Sequence, residues 1–166
     1  MAIIGRGDIA KVINDRQGAT FLLSGISNRA PLTLTEHLKE KEAIFKYQRN
    51  FIVYISSLSI YYSTNEYAIH KKLIEECIRQ TCDQYCIIRI GNITWGDNPN
   101  TIINFLTHKI KNNLPYEIRD EYRYLLDADE LNHWIGLIPM QGKHEMNITG
   151  MRKKVEDIVY EIKQKV

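Results

Sequence analysis

The sequence predicts an α/β fold, a parallel sheet with helices on both faces, and three observations carry that prediction. Short apolar runs alternate with segments of helical periodicity along the whole chain, the order that βαβ units produce. Runs such as "FIVYISS" (Phe51–Ser57) are apolar almost without interruption, as expected of strands covered on both faces. The stretches Gly5–Asp8, Ser24–Asn28, Ser56–Ser59 and Gly91–Gly96 each follow an apolar run. They therefore fall at carboxyl ends of strands, where open α/β sheets bind ligands.

Taken in order, Ala2–Gly5 is a short strand, and Asp8 to about Arg16 is a helix with Ile9, Val12 and Ile13 at helical spacing. "ATFLLSG" (Ala19–Gly25) is a second strand. Thr33-Leu34-Thr35-Glu36 has capping-box spacing and opens a helix with Leu34, Leu38 and Phe45 on one side. Phe51–Ser57 is the strongest strand; Glu66–Arg79 is a helix presenting Ala68, Lys71, Ile74 and Ile78 together; Tyr85–Ile90 is the next strand. Thr101–Asn112 is helical, Tyr122–Leu126 is a short apolar run, a helix lies near Asp129–Leu137, and His144–Ile148 is a strand. Met151–Lys165 closes the chain as an amphipathic helix with Val155, Ile158, Val159 and Ile162 on one face.

The chain has 166 residues, 44% of them hydrophobic and 25% charged, which suits a single domain with one sizeable core. A net charge of +2 with scattered basic residues gives no electrostatic footprint for nucleic acid. No apolar run approaches the roughly 20 residues of a membrane span, and the start lacks the composition of a signal peptide, so a cytoplasmic protein is expected. Three cysteines, Cys77, Cys82 and Cys86, have no CxxC or histidine spacing for a metal; reduced thiols and no metal site are expected.

"IIGRGDIAK" (Ile3–Lys11) contains Gly5-Arg6-Gly7-Asp8-Ile9-Ala10, a G-x-G-x-x-A between a strand and a helix. Glycines allow a tight turn and close backbone approach to a pyrophosphate, which the helix N-terminus attracts. Gly5, Arg6, Gly7, Asp8 and Ile9 are therefore candidate cofactor contacts, with Arg6 able to meet a pyrophosphate or a 2′-phosphate. The second strand of a dinucleotide fold, ending in an acidic residue about 20 residues on, has no counterpart here, because "NDRQG" leads directly into "ATFLLSG".

In "SSLSIYYSTNEYAIHKK" (Ser56–Lys72), Tyr67 and Lys71 are four residues apart and share a helix face. A tyrosine ionises near pH 10 and is a poor base at neutral pH, but an adjacent ammonium favours its phenolate. Tyr67 could then exchange a proton with a substrate hydroxyl or carbonyl, with a strand-end serine hydrogen-bonded to the same oxygen. Y-x-x-x-K is also a common chance spacing among ten tyrosines. Its position after a strand-end serine, in a chain that begins with a glycine turn, favours the chemical reading.

These segments resemble the short-chain dehydrogenase/reductase superfamily, and within it the extended branch of nucleotide-sugar epimerases, dehydratases and reductases. "FIVYISSLSIYY" resembles that branch's strand ending "SS-x-x-(V/I)-Y", "YAIHK" its Y-x-x-x-K, and "IIRIGNITWG" (Ile87–Gly96) its "R-x-x-N-x-x-G". "ATFLLSGIS" is similar to its "D-x-V-x-H-x-A-A" strand, "RYLLDADEL" to its "hydrophobic-x-D-D" helix start, and "HEMNITG" to its "x-Y-N-I-G".

The resemblance implies a Rossmann-like three-layer fold lacking about two strands, NAD or NADP as cofactor, and a nucleotide-sugar or related small-molecule substrate. It implies Ser57 as the catalytic serine, Tyr67 as acid/base, and Lys71 as the residue that supports the phenolate and binds the nicotinamide ribose. Gly5 and Gly7 would face the pyrophosphate, Ser24 and Gly25 would border the cofactor, and Asn92 would lie near the nucleotide-sugar. Residues 1–166 would form one NAD(P)-binding domain with a reduced substrate region at about 115–166, paired as a homodimer through the helices at Thr33–Tyr47 and Glu66–Arg79. The chain departs from the pattern in a glycine turn one residue tighter, a short Ser57-to-Tyr67 gap, and Leu22 at the usual histidine position. A descendant of the same fold that binds a nucleotide or a protein without turnover is the alternative.

Overall fold

A computed structural model describes residues 2–14, 16–23 and 33–166. Its main sheet is built from β1 (Ala2–Ile4), β2 (Ala19–Leu22), β3 (Phe51–Ser57), β4 (Gln84–Ile90) and β7 (Lys143–Ile148), in the order β1-β2-β3-β4-β7. All four pairings are parallel. The intervening helices are α1 (Asp8–Val12), α2 (Leu34–Tyr47), α3 (Glu66–Thr81), α4 (Ile102–Lys111) and α5 (Ala128–Gly136). A small second sheet joins β5 (Asn92–Ile93), β6 (Tyr122–Leu126) and β8 (Met151–Lys154), and α6 (Val155–Lys165) ends the chain.

Side chains alternate across a strand, so the apolar runs feed two cores. Phe51, Val53, Ile55, Cys86, Ile88 and Ile90 face one way, with Ile13 and with Leu131 and Ile135 of α5. Ile52, Tyr54, Tyr85 and Ile87 face the other, against Ile44 of α2 and Ile74 and Ile78 of α3. A third cluster packs Leu106 of α4 on Val155, Ile158, Val159 and Ile162 of α6. The three-layer α/β arrangement and the periodicities that predict it agree. No described helix is long and apolar enough to cross a membrane.

Strand order never reverses among the described residues, and β1 is an edge. Only residues 13–18 separate α1 from β2, too few for a further strand and helix. The two strands expected to be missing are absent at this edge.

Three expectations are corrected in detail. The first helix stops at Val12 because Ile13 turns extended, with ψ 124°. The chain beyond it is held by distant partners: Asn14 N–H donates to Asn132 Oδ1 at 2.8 Å and Arg16 to the Ile138 carbonyl at 2.7 Å. Met151–Lys154 is a strand antiparallel to Tyr122–Leu125 and not the first turn of the last helix. Its pairing is reinforced by Arg152 lying 3.7 Å from the Tyr122 ring centroid. On α2 the capping box forms, but Leu34, Leu38 and Phe45 are exposed and the buried positions are Glu40 and Ile44. Helical spacing identifies a stripe, and here the polar contacts of Glu40 decide which stripe turns inward.

Candidate active site

A cavity of about 270 Å³ opens at the carboxyl ends of β2, β3 and β4. Ser57, Tyr67 and Lys71 line it together with Asn92, and Asp8 and Ile9 reach it from the glycine turn. These six positions are separated by up to 84 residues in sequence. Gly5, Arg6 and Gly7 do not line this cavity, and Ser24 and Gly25 lie outside the described residues.

Each residue is positioned by local structure. Ser57 ends β3, and its hydroxyl oxygen accepts the Ser59 N–H at 3.2 Å as the chain enters a 3-10 turn, Leu58–Tyr61. Ser56, one residue earlier, points to the opposite face and donates to Glu75 Oε1 at 2.6 Å. Asn65 caps α3 by accepting the Ala68 N–H at 2.9 Å, which fixes the helix two residues before Tyr67. Asn92 Nδ2 donates to the Tyr124 carbonyl at 3.2 Å and borders a second cavity of about 450 Å³ that includes Arg119, Arg123, Tyr62 and Ser63.

Lys71 is 3% exposed. Its Nζ donates to the Tyr54 hydroxyl at 2.9 Å and the Ile55 carbonyl at 3.4 Å, and stands 5.8 Å from the centroid of the half-buried Tyr67 ring. Burial drives the Tyr54 phenol well above its ordinary value, aided by the charges of Glu40 and Glu75, so Tyr54 stays a neutral acceptor for the ammonium. The counter-charge is Glu40, whose Oε1 lies 3.9 Å from Nζ.

Below the other side of the strand ends, Arg89 is held by both oxygens of Glu75, with the shortest bond 2.6 Å, and by Glu145 at 2.5 Å. Arg79 ties Glu75 to Glu145 as well. This lattice, buried at Glu75 and Arg89 and open to solvent at Arg79 and Glu145, fastens α3, β4 and β7 beneath Ser56. Glu145 is held down to about 2 by its bonds to Arg79 and Arg89, which overcome the effect of burial.

Asp8 places a carboxylate at the end of the glycine turn, two residues after Arg6. Asp8 Oδ2 accepts the Asn98 N–H at 3.0 Å, its carbonyl accepts Trp95 Nε1–H at 3.1 Å, and Lys11 is 3.3 Å away. Burial acts to raise the Asp8 carboxyl, yet the Asn98 and Asp97 amides and the Lys11 ammonium outweigh it and leave the group below its ordinary value. Gly96 is required in this contact: its φ is +87°, and a Cβ there would lie 2.2 Å from Asp8 Cγ. Sequence reasoning does not find Tyr54, Glu40 or the contacts of Asp8 with Trp95 and Asn98. Tyr54 reads as one more apolar strand residue, and the partners of Glu40 and Asp8 lie 30 and 90 residues away.

No protein-family model and no curated protein matches the chain. Solved structures share its fold. The Bordetella bronchiseptica enzyme WbmG, in complex with NAD and UDP, aligns with a TM-score of 0.68 at 13% identity over 90% of this chain and 56% of its own. Thermus thermophilus UDP-glucose 4-epimerase, in complex with NAD, gives 0.64 at 15% identity over 89% and 61%. A dTDP-4-dehydrorhamnose reductase from Bacillus anthracis, in complex with NADP, gives 0.66 at 13% over 89% and 62%. The chain thus spans less than two thirds of the length of these neighbours.

Proposed function

We propose that this chain is a shortened member of the extended short-chain dehydrogenase/reductase branch, an NAD(P)-dependent enzyme acting on a nucleotide-sugar or a related hydroxyl or carbonyl substrate. The observation that carries the reading is the convergence of Ser57, Tyr67 and Lys71 on one cavity at the strand ends. The NAD- or NADP-bound enzymes that share the fold support it.

The described residues fit one end of a dinucleotide. Lys71 brings a buried ammonium to the cavity, suited to a ribose hydroxyl, and Ile9, Leu23 and Ile55 give an apolar wall for a nicotinamide ring. The adenylate end has no acid-tipped second strand among the described residues, and the Asp8 carboxylate stands at the glycine turn. NAD(P) would supply hydride transfer when bound. Tyr67 would pass a proton to or from the substrate oxygen, and Ser57, whose oxygen accepts Ser59 N–H, would donate its hydroxyl hydrogen to that oxygen. Asn92 and the adjoining cavity with Arg119 and Arg123 would receive the nucleotide part of the substrate.

The exposed apolar residues Leu34, Leu38 and Phe45 on α2 and Ile69 and Leu73 on α3 form the face through which a homodimer would pair. Residues 1–166 would act as one NAD(P)-binding domain, in the cytoplasm. The second reading is a descendant that binds a nucleotide or a protein without turnover, favoured by the lack of an acid-tipped second strand among the described residues. A screen of nucleotide-sugars with NAD(P)(H), run on the native chain and on Tyr67→Phe, separates the two. Turnover lost in Tyr67→Phe supports the enzyme, and dinucleotide binding without turnover of any substrate class supports the binding protein.

A further inference from the structure

Behind Lys71 lies a chain of titratable groups that the proposed reaction does not use. On α3, His70 precedes Lys71 and is 1% exposed. Its Nε2 is bonded to Oε2 of Glu40, which is 5% exposed on α2, while the other oxygen of Glu40 faces Lys71 Nζ at 3.9 Å. One turn earlier on α2, His37 brings its Nδ1 to 2.8 Å from Nδ1 of His70. His37 is half-buried and sits beside the exposed Leu34 and Leu38. The path runs His37, His70, Glu40, Lys71, from the outer face of α2 and α3 to the cavity.

The chemistry of this path is restrictive. Two facing Nδ1 atoms form a hydrogen bond only when one carries a proton and the other does not, so the two imidazoles cannot both be cations. Burial acts to raise the Glu40 carboxyl, but the His70 bond and the Lys71 charge prevail and hold it below its ordinary value. Burial, His70 and Lys41 hold His37 low. A proton taken up at the outer nitrogen of His37 can pass the His37 Nδ1–H to His70 Nδ1, breaking one N–H bond and forming another, and it leaves a His70 imidazolium whose Nε2–H draws the Glu40 carboxylate to itself. Its result is a Glu40 that no longer balances Lys71. The other charged or titratable groups around the path are Lys41 on α2, Tyr67 and Glu75 on α3 and Tyr54 on β3.

We propose that His37, His70 and Glu40 are positioning residues that hold Lys71 at the cavity and make its placement depend on protonation at the outer face of α2 and α3. The proposal rests on the reading of Lys71 as the cofactor's ribose contact. Acidification draws Glu40 toward the imidazoles, frees Lys71 from its counter-charge and weakens the ribose contact.

Two measurements test it. In the ligand-free protein, 15N imidazole spectra recorded from pH 5 to 8 should show the His70 nitrogens responding in the same transition as those of His37, which they face at 2.8 Å, and Lys71→Met should shift that transition upward by removing a nearby positive charge. Independent titrations unaffected by Lys71→Met overturn the proposal. In binding, NADH or NADPH affinity of the native chain should fall about fivefold or more from pH 8 to pH 5.5, and that of His37→Phe by less than about twofold, since ~1.4 kcal/mol per tenfold makes these separable. An equal fall in both overturns it. Absence of any NAD(P)H binding by the native chain overturns the cofactor reading, and the spectra then decide the relay by themselves.

Discussion

Lys71 donates to the hydroxyl of Tyr54 at 2.9 Å, and the two side chains are 3% and 1% exposed. A buried ammonium on a neutral phenol needs a counter-ion, and Glu40 at 3.9 Å supplies it. The position of Lys71 is therefore set from α2 and β3 as much as from its own helix.

The first consequence is energetic. Glu40→Gln leaves a buried cation uncompensated and should destabilise the protein by about 3 kcal/mol or more. Lys71→Met removes that cation and should cost less, because His70 still bonds Glu40. The double variant should recover about 1 kcal/mol or more relative to the sum of the single changes, read as a coupling energy from urea unfolding. Additive effects would mean that Glu40 and Lys71 do not interact.

The second concerns acid. Glu145 has its folded value lowered to about 2, against an ordinary 4.5, by Arg79 and Arg89. A group depressed in the folded state binds its proton first in the unfolded chain, so its stabilisation is present above about 4.5 and is lost as pH falls toward about 2. Urea midpoints of the native protein should therefore fall across that window, and those of Glu145→Gln should fall less. Parallel curves would contradict the assignment.

The third concerns the cofactor. If the cavity receives chiefly the nicotinamide-ribose end, reduced nicotinamide mononucleotide should bind within about tenfold of NADH, a difference near 1.4 kcal/mol. AMP and ADP-ribose should compete poorly. Tight ADP-ribose binding would show that the adenylate end is gripped after all.

How far the sequence reaches is visible at particular residues. Tyr67 and Lys71 are readable because four residues on a helix is local geometry, and Ser57 because strand β3 is an unbroken apolar run. The alternation of Ile52 and Tyr54 with Val53 and Ile55 across β3 likewise follows from a period of two. Glu40 is not readable: a glutamate in a capped, charged helix is ordinarily solvated, and its partners His70 and Lys71 come from 30 and 31 residues away. The same holds for β8, whose "MRKK" has helical neighbours and pairs with Tyr122–Leu125 only after the chain has turned at Gly150, φ +69°.

The fourth prediction addresses assembly. Leu34, Leu38 and Phe45 on α2 and Ile69 and Leu73 on α3 are exposed apolar side chains, the kind of surface through which subunits pair when it is contiguous. The protein should sediment as a dimer at micromolar concentration, and Leu38→Glu as a monomer with an unchanged far-ultraviolet circular dichroism spectrum. A native monomer would remove the homodimer from the account.

The most direct test of the central claim is a calorimetric titration of the native chain and of Lys71→Met with NAD(H) and NADP(H). The account predicts saturable binding of at least one dinucleotide to the native chain, weakened about tenfold or more in a Lys71→Met protein that unfolds cooperatively. No binding at millimolar concentration, or the same affinity in both proteins, would contradict the placing of the nicotinamide ribose at Lys71.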